Sequence, residues 1–423
     1  MKISPFFLRT DLRRVGLIAT LLVPLGLLHA LVLAEICIVV TDIMFLTVMV
    51  KERNFTWARQ PWFVVALIWW GWLVLCTLRL PEIGLVTAGW RMGFLGALIV
   101  IRLLLFAVAL QSWVLTTPRA RRALWLMLAL SCLWIGIESW QQYLTGHNIF
   151  GDPRWSDGAL TGPFFKPRAG ALYGHLLFAA VLPPMMWLYG RTRSWQHFAG
   201  LGLAVLGVAT AVLIGQRMAM VDVAVSLMLV ALFVAPLRGV VTIAVVVGAL
   251  VLAATPIISP PTYGKLVGET YRNLSHFSLS PYGELYTRGI TMGLASPWHG
   301  WGYNGFRAFC PQERFATGFP AFGVAPTKIA LGACNLHPHN YYVQALTDAG
   351  VPGLILFILL NLAWLKAVVP NFSRAIAPMQ LGVFIGVGTF LWPFGSTDEF
   401  PTLYMLGWFF LLLALALPSR VRR

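Results

Sequence analysis

The chain is poor in charge and poorest in acid. Of its 423 residues 11% are charged, and 15 Asp and Glu stand against 31 Lys and Arg, a formal net charge of +16. Soluble domains carry about 25% charged residues. A shortage on this scale, with 58% hydrophobic residues and a mean hydropathy of +0.76, excludes an ordinary water-soluble enzyme and describes a chain that is mostly lipid-embedded. The missing acid also removes one class of metal site, since there is no Asp-x-Asp to hold a divalent cation on a pyrophosphate. Nor is there a His-Glu-x-x-His or a Cys-x-x-Cys to bind zinc. No repeat of fixed period, low-complexity tract or terminal soluble domain is visible. The first apolar run is long and lacks a small-residue cleavage site, so no cleavable signal peptide is expected.

What is present is a succession of apolar runs. About 20 residues cross the hydrocarbon core, so the run from about Val15 to Val50 is too long for one span; Pro24, Gly26, His29 and Glu35 divide it into two tightly joined helices. Further helices are predicted at about Pro61 to Leu78, Met92 to Leu115, Ala123 to Gln141, Ala169 to Tyr189, Phe198 to Gly215, Met218 to Ala235 and Gly239 to Ile257. After a polar interruption come Tyr341 to Val369, Leu381 to Pro393 and Thr402 to Leu417. Twelve spans put the basic clusters, among them Arg119 with Arg121 and Arg122, Arg191 with Arg193, Arg238, and Arg420 with Arg422 and Arg423, on one side. By the positive-inside rule that side is cytoplasmic, and both termini with it. The surplus of positive charge is thereby explained without a nucleic-acid partner. The expected class is an all-α polytopic integral membrane protein: a bundle of nine helices over 1–257, an exported segment over 258–340 carrying short amphipathic helices, and three helices over 341–423.

The opposite face collects the residues that bear chemistry. The loop Gln142 to Arg168 ends in Thr161-Gly-Pro-Phe-Phe-Lys166-Pro-Arg168; Arg217 stands between two spans; Arg288 lies in the long segment, four residues after Glu284. These loops hold too few acids to pair every cation, and guanidinium forks suit phosphate oxygens. Each arginine can also snorkel to lipid headgroups. Glu35, Glu138 and Asp222 fall near the outer ends of their spans, where they can line a cavity or pair with Arg102 in mid-span. Cys37, Cys76 and Cys132 lie inside spans. Cys310 and Cys334 are both exported, where an oxidising compartment favours a disulfide that would brace the approach to the last motif. That motif is Asn335-Leu-His337-Pro-His339-Asn340-Tyr-Tyr-Val-Gln344, leading into Asp348-Ala-Gly350-Val-Pro-Gly353-Leu at what reads as the start of a membrane helix. Its imidazoles are expected at the membrane–water boundary. Two histidines two apart can act as a base, ligate zinc if a third ligand exists, or serve structurally at a helix cap.

His-Pro-His-Asn followed by Gly-x-x-Gly-Leu resembles the signature of the O-antigen ligase and polymerase superfamily of polytopic membrane glycosyltransferases. The resemblance extends to the Thr-Gly-x-Phe loop before Arg168, the arginine at the outer end of a later helix pair (Arg217), and a Pro-x-x-Gly-x-Gly segment, Pro297 to Gly302, preceded by Arg288. Together these span most of Thr161 to Leu354. Position 217 departs in its flanks, where Gln216 and Met218 replace the small residues often found. The resemblance implies transfer of O-antigen from undecaprenyl pyrophosphate to lipid A-core, without a metal or other cofactor and with inversion. His339 would be the general base and His337 the next candidate. Arg168, Arg217, Arg288 and Lys166 would hold the pyrophosphate, with Arg288 also acting in catalysis, and Asn340, Gln344 and Asp222 would support them. Partners would be the lipid-linked donor, the lipid A-core acceptor and membrane lipids. An O-antigen polymerase and a protein O-oligosaccharyltransferase share the motif and the donor and differ in acceptor. A lipid-linked glycan flippase is the rival of another class, although transporters gather polar groups near the midplane and this chain gathers them at one face.

Overall fold

The computed structural model describes residues 5–78, 90–191, 193–327, 334, 337–370, 377–395, 400 and 402–418. The Asp398-Glu399 turn, Asn335 and the basic C-terminal residues from 419 onward lie outside this set. The regular secondary structure among the described residues is all helical, with two isolated bridges and no strand. Helices α1 (Pro5–His29), α2 (Leu31–Lys51), α3 (Pro61–Leu78), α4 (Arg91–Val114), α5 (Pro118–Thr145), α6 (Ala169–Tyr189) and α7 (Ser194–Ile214) are followed by α8 (Arg217–Phe233) and α9 (Arg238–Ile258). A short helix in the next segment, α10 (Pro281–Ala295), precedes α11 (Tyr341–Val368), α12 (Pro378–Phe390) and α13 (Leu403–Ala416). Among the described residues nine helices are long and apolar enough to cross a membrane: α1 to α7, α9 and α11. The fold is that of a polytopic membrane protein. The twelve expected spans require in addition α8, of 17 residues, and the shorter apolar helices α12 and α13.

The division of the first apolar run falls at Ala30, whose non-helical backbone (φ −151°, ψ 79°) separates α1 from α2. Every residue of α13 is buried, which makes it the axis of the bundle, and α6 packs against α5, α7, α8 and α12. Arg102 in mid-span is paired: it donates from Nε to Glu35 Oε2 at 2.9 Å. Of the other two partners considered for Arg102, Glu138 accepts from the Ile149 amide at 3.0 Å, and Asp222 lies 3.8 Å from His175.

The last long span is not the single helix that its hydropathy suggests. Gly350 has φ 67° and ψ −168°, and the chain folds back there. Tyr342 therefore packs against Phe357 with ring centroids 5.4 Å apart, whereas 15 residues of straight helix would separate them by about 22 Å. Pro352 supplies the chemical reason. It has no N–H to give the Asp348 carbonyl, and the freed groups are satisfied by the segment Pro297–Gly302 instead. Trp301 N–H donates to Thr347 O at 2.8 Å, Gly302 N–H to Asp348 O at 2.9 Å, and Val351 N–H to Pro297 O at 2.6 Å. The approach is close enough to demand glycine on both sides. A Cβ on Gly350 would sit 2.5 Å from Pro297 O, and one on Gly300 would sit 2.4 Å from the Ala349 nitrogen. Two stretches that look like separate motifs in the sequence are thus one interlocked backbone unit.

Candidate active site

The fold-back corrects the expected setting of the histidines. They do not stand at the outer mouth of a continuous membrane helix; they precede a short helix, 341–349, that runs back along the span toward Phe357. Asn340 begins that helix. Its Oδ1 accepts from the Tyr342 and Val343 amides at 2.9 and 3.1 Å, and its Nδ2 donates to Pro393 O at 2.7 Å. One side chain therefore caps the helix, worth about 1 kcal/mol, and ties it to the end of α12. His339, immediately before the cap, is held at φ 53°. A left-handed backbone costs a residue with a Cβ roughly 1–2 kcal/mol, and strain of this kind persists where the surroundings fix the side chain's direction.

Around His339 the side chains form a wall. The rings of His337 and His339 lie 4.3 Å apart, with His337 buried and His339 half-buried. Tyr282, on the first turn of α10, meets His339 edge to face at 5.4 Å. The Arg217 guanidinium lies over the same tyrosine ring, 5.8 Å from its centroid. Tyr286, one turn further along α10, donates from its hydroxyl to His339 O at 3.3 Å; burial raises its pKa, which keeps the phenol protonated as that bond requires. Arg217, the first residue of α8, also pairs with Glu269 at 3.6 Å.

Arg168 joins this group through Gln216. The Gln216 amide donates to Pro167 O at 2.5 Å and accepts from Ala171 N–H at 3.1 Å, bracketing Arg168 and linking its loop to the start of α8. The departure from small residues at 216 is a bridge between the two arginines' backbones. The Arg168 guanidinium sits 3.9 Å above the Tyr404 ring of α13. Lys166 is exposed in the same loop, and the loop is tied to the following segment by the Lys265–Asp157 ion pair.

Other expected residues face elsewhere. Arg288 is buried and donates from Nη1 to Gln312 O at 3.0 Å. Its Nε–H is buried without a partner among the described residues. Burial lowers the Arg288 pKa, and Glu284, one turn before it, partly offsets this. Gln344 holds the Phe400 backbone from both sides, accepting from its N–H at 2.8 Å and donating to its carbonyl at 2.6 Å. Asp222 is buried inside the bundle beside His175, whose Nδ1 lies 2.9 Å from Thr389 Oγ1. Cys310 and Cys334 are bridged, with Cα atoms 5.5 Å apart, and Cys37, Cys76 and Cys132 are buried and free. Among the described residues no three His, Cys, Asp or Glu side chains are grouped as a metal ion would need. Tyr282, Tyr286, Tyr404 and Glu269 were not singled out from the sequence. Tyr282 and Tyr286 are four apart on one face of α10, and the Glu284 and Arg288 pair noted in the sequence lies on the other.

Residues 202–358 match a family described as O-antigen ligase. The matched stretch contains Arg217, Glu269, Tyr282, Arg288, both histidines and the fold-back at Gly350, and leaves out Lys166 and Arg168. No curated protein matches the chain.

Proposed function

We propose that this chain, whose residues 202–358 form a domain of the O-antigen ligase family, transfers O-antigen polysaccharide from undecaprenyl pyrophosphate to the lipid A-core oligosaccharide. The observation that carries the reading is the placement of Arg217 and His339 against one tyrosine ring. A phosphate-binding cation and a neutral-range base thereby stand within the span of one glycosyl diphosphate. In the reaction the His339 imidazole takes the proton of the acceptor hydroxyl as that oxygen forms its bond to the anomeric carbon. The bond from that carbon to the pyrophosphate oxygen breaks, and the leaving group departs with the electron pair. Attack opposite the leaving group inverts the centre. Arg217 and Arg168 receive the charge that grows on the leaving oxygen, and Arg288, whose Nε–H has no partner among the described residues, keeps one donor for an anion on its own side of α10. Lys166, exposed beside Arg168, meets the donor on entry.

His337 packs on His339 and sets its orientation; Asn340 and Gln344 fix the short helix to the ends of α12 and α13. Asp222 supports α8 from within the bundle. The reaction runs without a metal, because guanidinium groups occupy the role that an Asp-x-Asp-bound cation has elsewhere. We place both termini and the basic clusters in the cytoplasm of a twelve-span inner-membrane protein and the site at the periplasmic face. The Cys310–Cys334 bridge supports that placement, since disulfides persist in oxidising compartments.

The test is purified protein with lipid-linked O-antigen and lipid A-core, scored for ligated product with and without EDTA. Ligated product that survives chelation is expected. Chains extended on the donor lipid would indicate a polymerase, glycan on protein a protein-directed transferase, and donor movement across a bilayer without product a flippase. Loss on chelation with rescue by magnesium would move the pyrophosphate-binding role to an ion.

A further inference from the structure

Glu269 has no part in the proton transfer or the leaving-group chemistry, yet its carboxylate lies 3.6 Å from the Arg217 guanidinium. It is carried by a run of short turns, Pro260–Tyr263, Gly264–Glu269 and Thr270–Ser275, that lies between α9 and α10. The exposed side of this run is rich in large apolar residues, with Tyr263 41%, Tyr271 75% and Leu274 69% exposed, and also carries Arg272 and Ser275. An element with such a face and polar residues beneath it settles at the boundary between headgroups and acyl chains. Arg217 therefore works within reach of the bilayer's own phosphates, which outnumber any lipid-linked glycan. An uncovered guanidinium there would be occupied by phospholipid.

We propose that Glu269 is a specificity-determining residue, an internal anion on Arg217 that excludes the headgroups of net-anionic phospholipids and yields to a pyrophosphate. The proposal rests on the reading of Arg217 as a phosphate-binding group. A single-charge phosphodiester that displaces Glu269 exchanges one anion for another at the same guanidinium and gains little. A pyrophosphate carries two phosphoryl groups. It can replace Glu269 on Arg217 and at the same time engage Arg168, which Gln216 brackets next to α8 and which lies over the Tyr404 ring. The second contact is available to a diphosphate and not to a phospholipid headgroup, so the carboxylate raises the threshold for both ligands while the diphosphate alone exceeds it.

The experiment measures inorganic pyrophosphate affinity for the full chain in nanodiscs of phosphatidylcholine, with and without phosphatidylglycerol. Wild type is expected to bind pyrophosphate with the same affinity in both bilayers. Glu269→Gln should bind it about ten-fold tighter in phosphatidylcholine and lose that gain when phosphatidylglycerol is added. Glu269→Asp, which keeps the charge, should stay insensitive to the anionic lipid; Glu269→Ala should follow Glu269→Gln. Equal pyrophosphate affinity in wild type and Glu269→Gln, or equal indifference to phosphatidylglycerol, overturns the assignment. Arg217→Gln separates the two levels. If it weakens pyrophosphate binding while Glu269→Gln changes nothing, the selectivity role alone falls. If Arg217→Gln leaves binding intact, the phosphate-binding reading fails and the role of Glu269 with it.

Discussion

Arg217 and Arg288 look alike in sequence and are opposites in the fold. Arg217 opens α8, is half-buried, has one carboxylate 3.6 Å away and lies over the Tyr282 ring that His339 also touches. Arg288 is buried on the far side of α10, bound to the Gln312 carbonyl beside the Cys310–Cys334 bridge, with its Nε–H unsatisfied among the described residues. The difference teaches what each cation does before substrate arrives. On the reading proposed above, Arg217 is balanced by an anion that can leave, so its grip is exchangeable. Arg288 is fixed by a backbone carbonyl that cannot leave, so it organises the segment and offers at most the remaining donor. An arginine at a site is thus either a ligand group or a brace, and burial together with the kind of partner tells which.

Substitutions sharpen that contrast. Of the substitutions that bear on this contrast, Arg217→Ala is expected to have the largest effect, a fall in transfer of about a hundred- to a thousand-fold. Its thermal midpoint in detergent should hardly move, because a partly exposed ion pair contributes about 0–1 kcal/mol. A matching loss of stability would make Arg217 a brace as well. Arg288→Ala should destabilise by about 1–3 kcal/mol, the cost of leaving the half-buried Gln312 carbonyl unpaired, and should raise amide exchange over 296–315 more than elsewhere. Unchanged exchange there with lost pyrophosphate binding would reverse the roles of the two arginines. The smallest change is Asn340→Ala, about 1 kcal/mol from the cap. It should appear as faster exchange across 341–349 with α10 unaffected.

The His-Pro-His-Asn stretch and the three arginines stood out in the sequence because residue type carries their chemistry, and a long polar interruption between apolar runs marked the segment that holds much of it. The fold-back was harder to see. Hydropathy runs unbroken from Tyr341 to Val369, and Gly350-Val-Pro352 alone betrayed the turn, since glycine permits the positive φ and proline denies Asp348 its helical partner. The pairing of that turn with Pro297–Gly302 was invisible, because three backbone hydrogen bonds leave no side-chain signature beyond the glycines that permit them. Tyr282, Tyr404 and Glu269 escaped for another reason: aromatic residues and a lone acid in such a segment read equally well as interfacial packing, and their roles depend on which helix ends the bundle brings together.

The central claim is that His339, strained at φ 53° and set against Tyr282 and His337, is the base of a transfer whose charge is handled by Arg217. It is tested most directly by measuring donor affinity and transfer rate side by side for folded His339→Ala. The proton leaves the acceptor only as the bond forms, so donor affinity should stay at the wild-type value while transfer falls by about a hundred- to ten-thousand-fold. Near-normal transfer by this variant, or a loss of donor binding that accounts for the whole defect, would contradict the assignment.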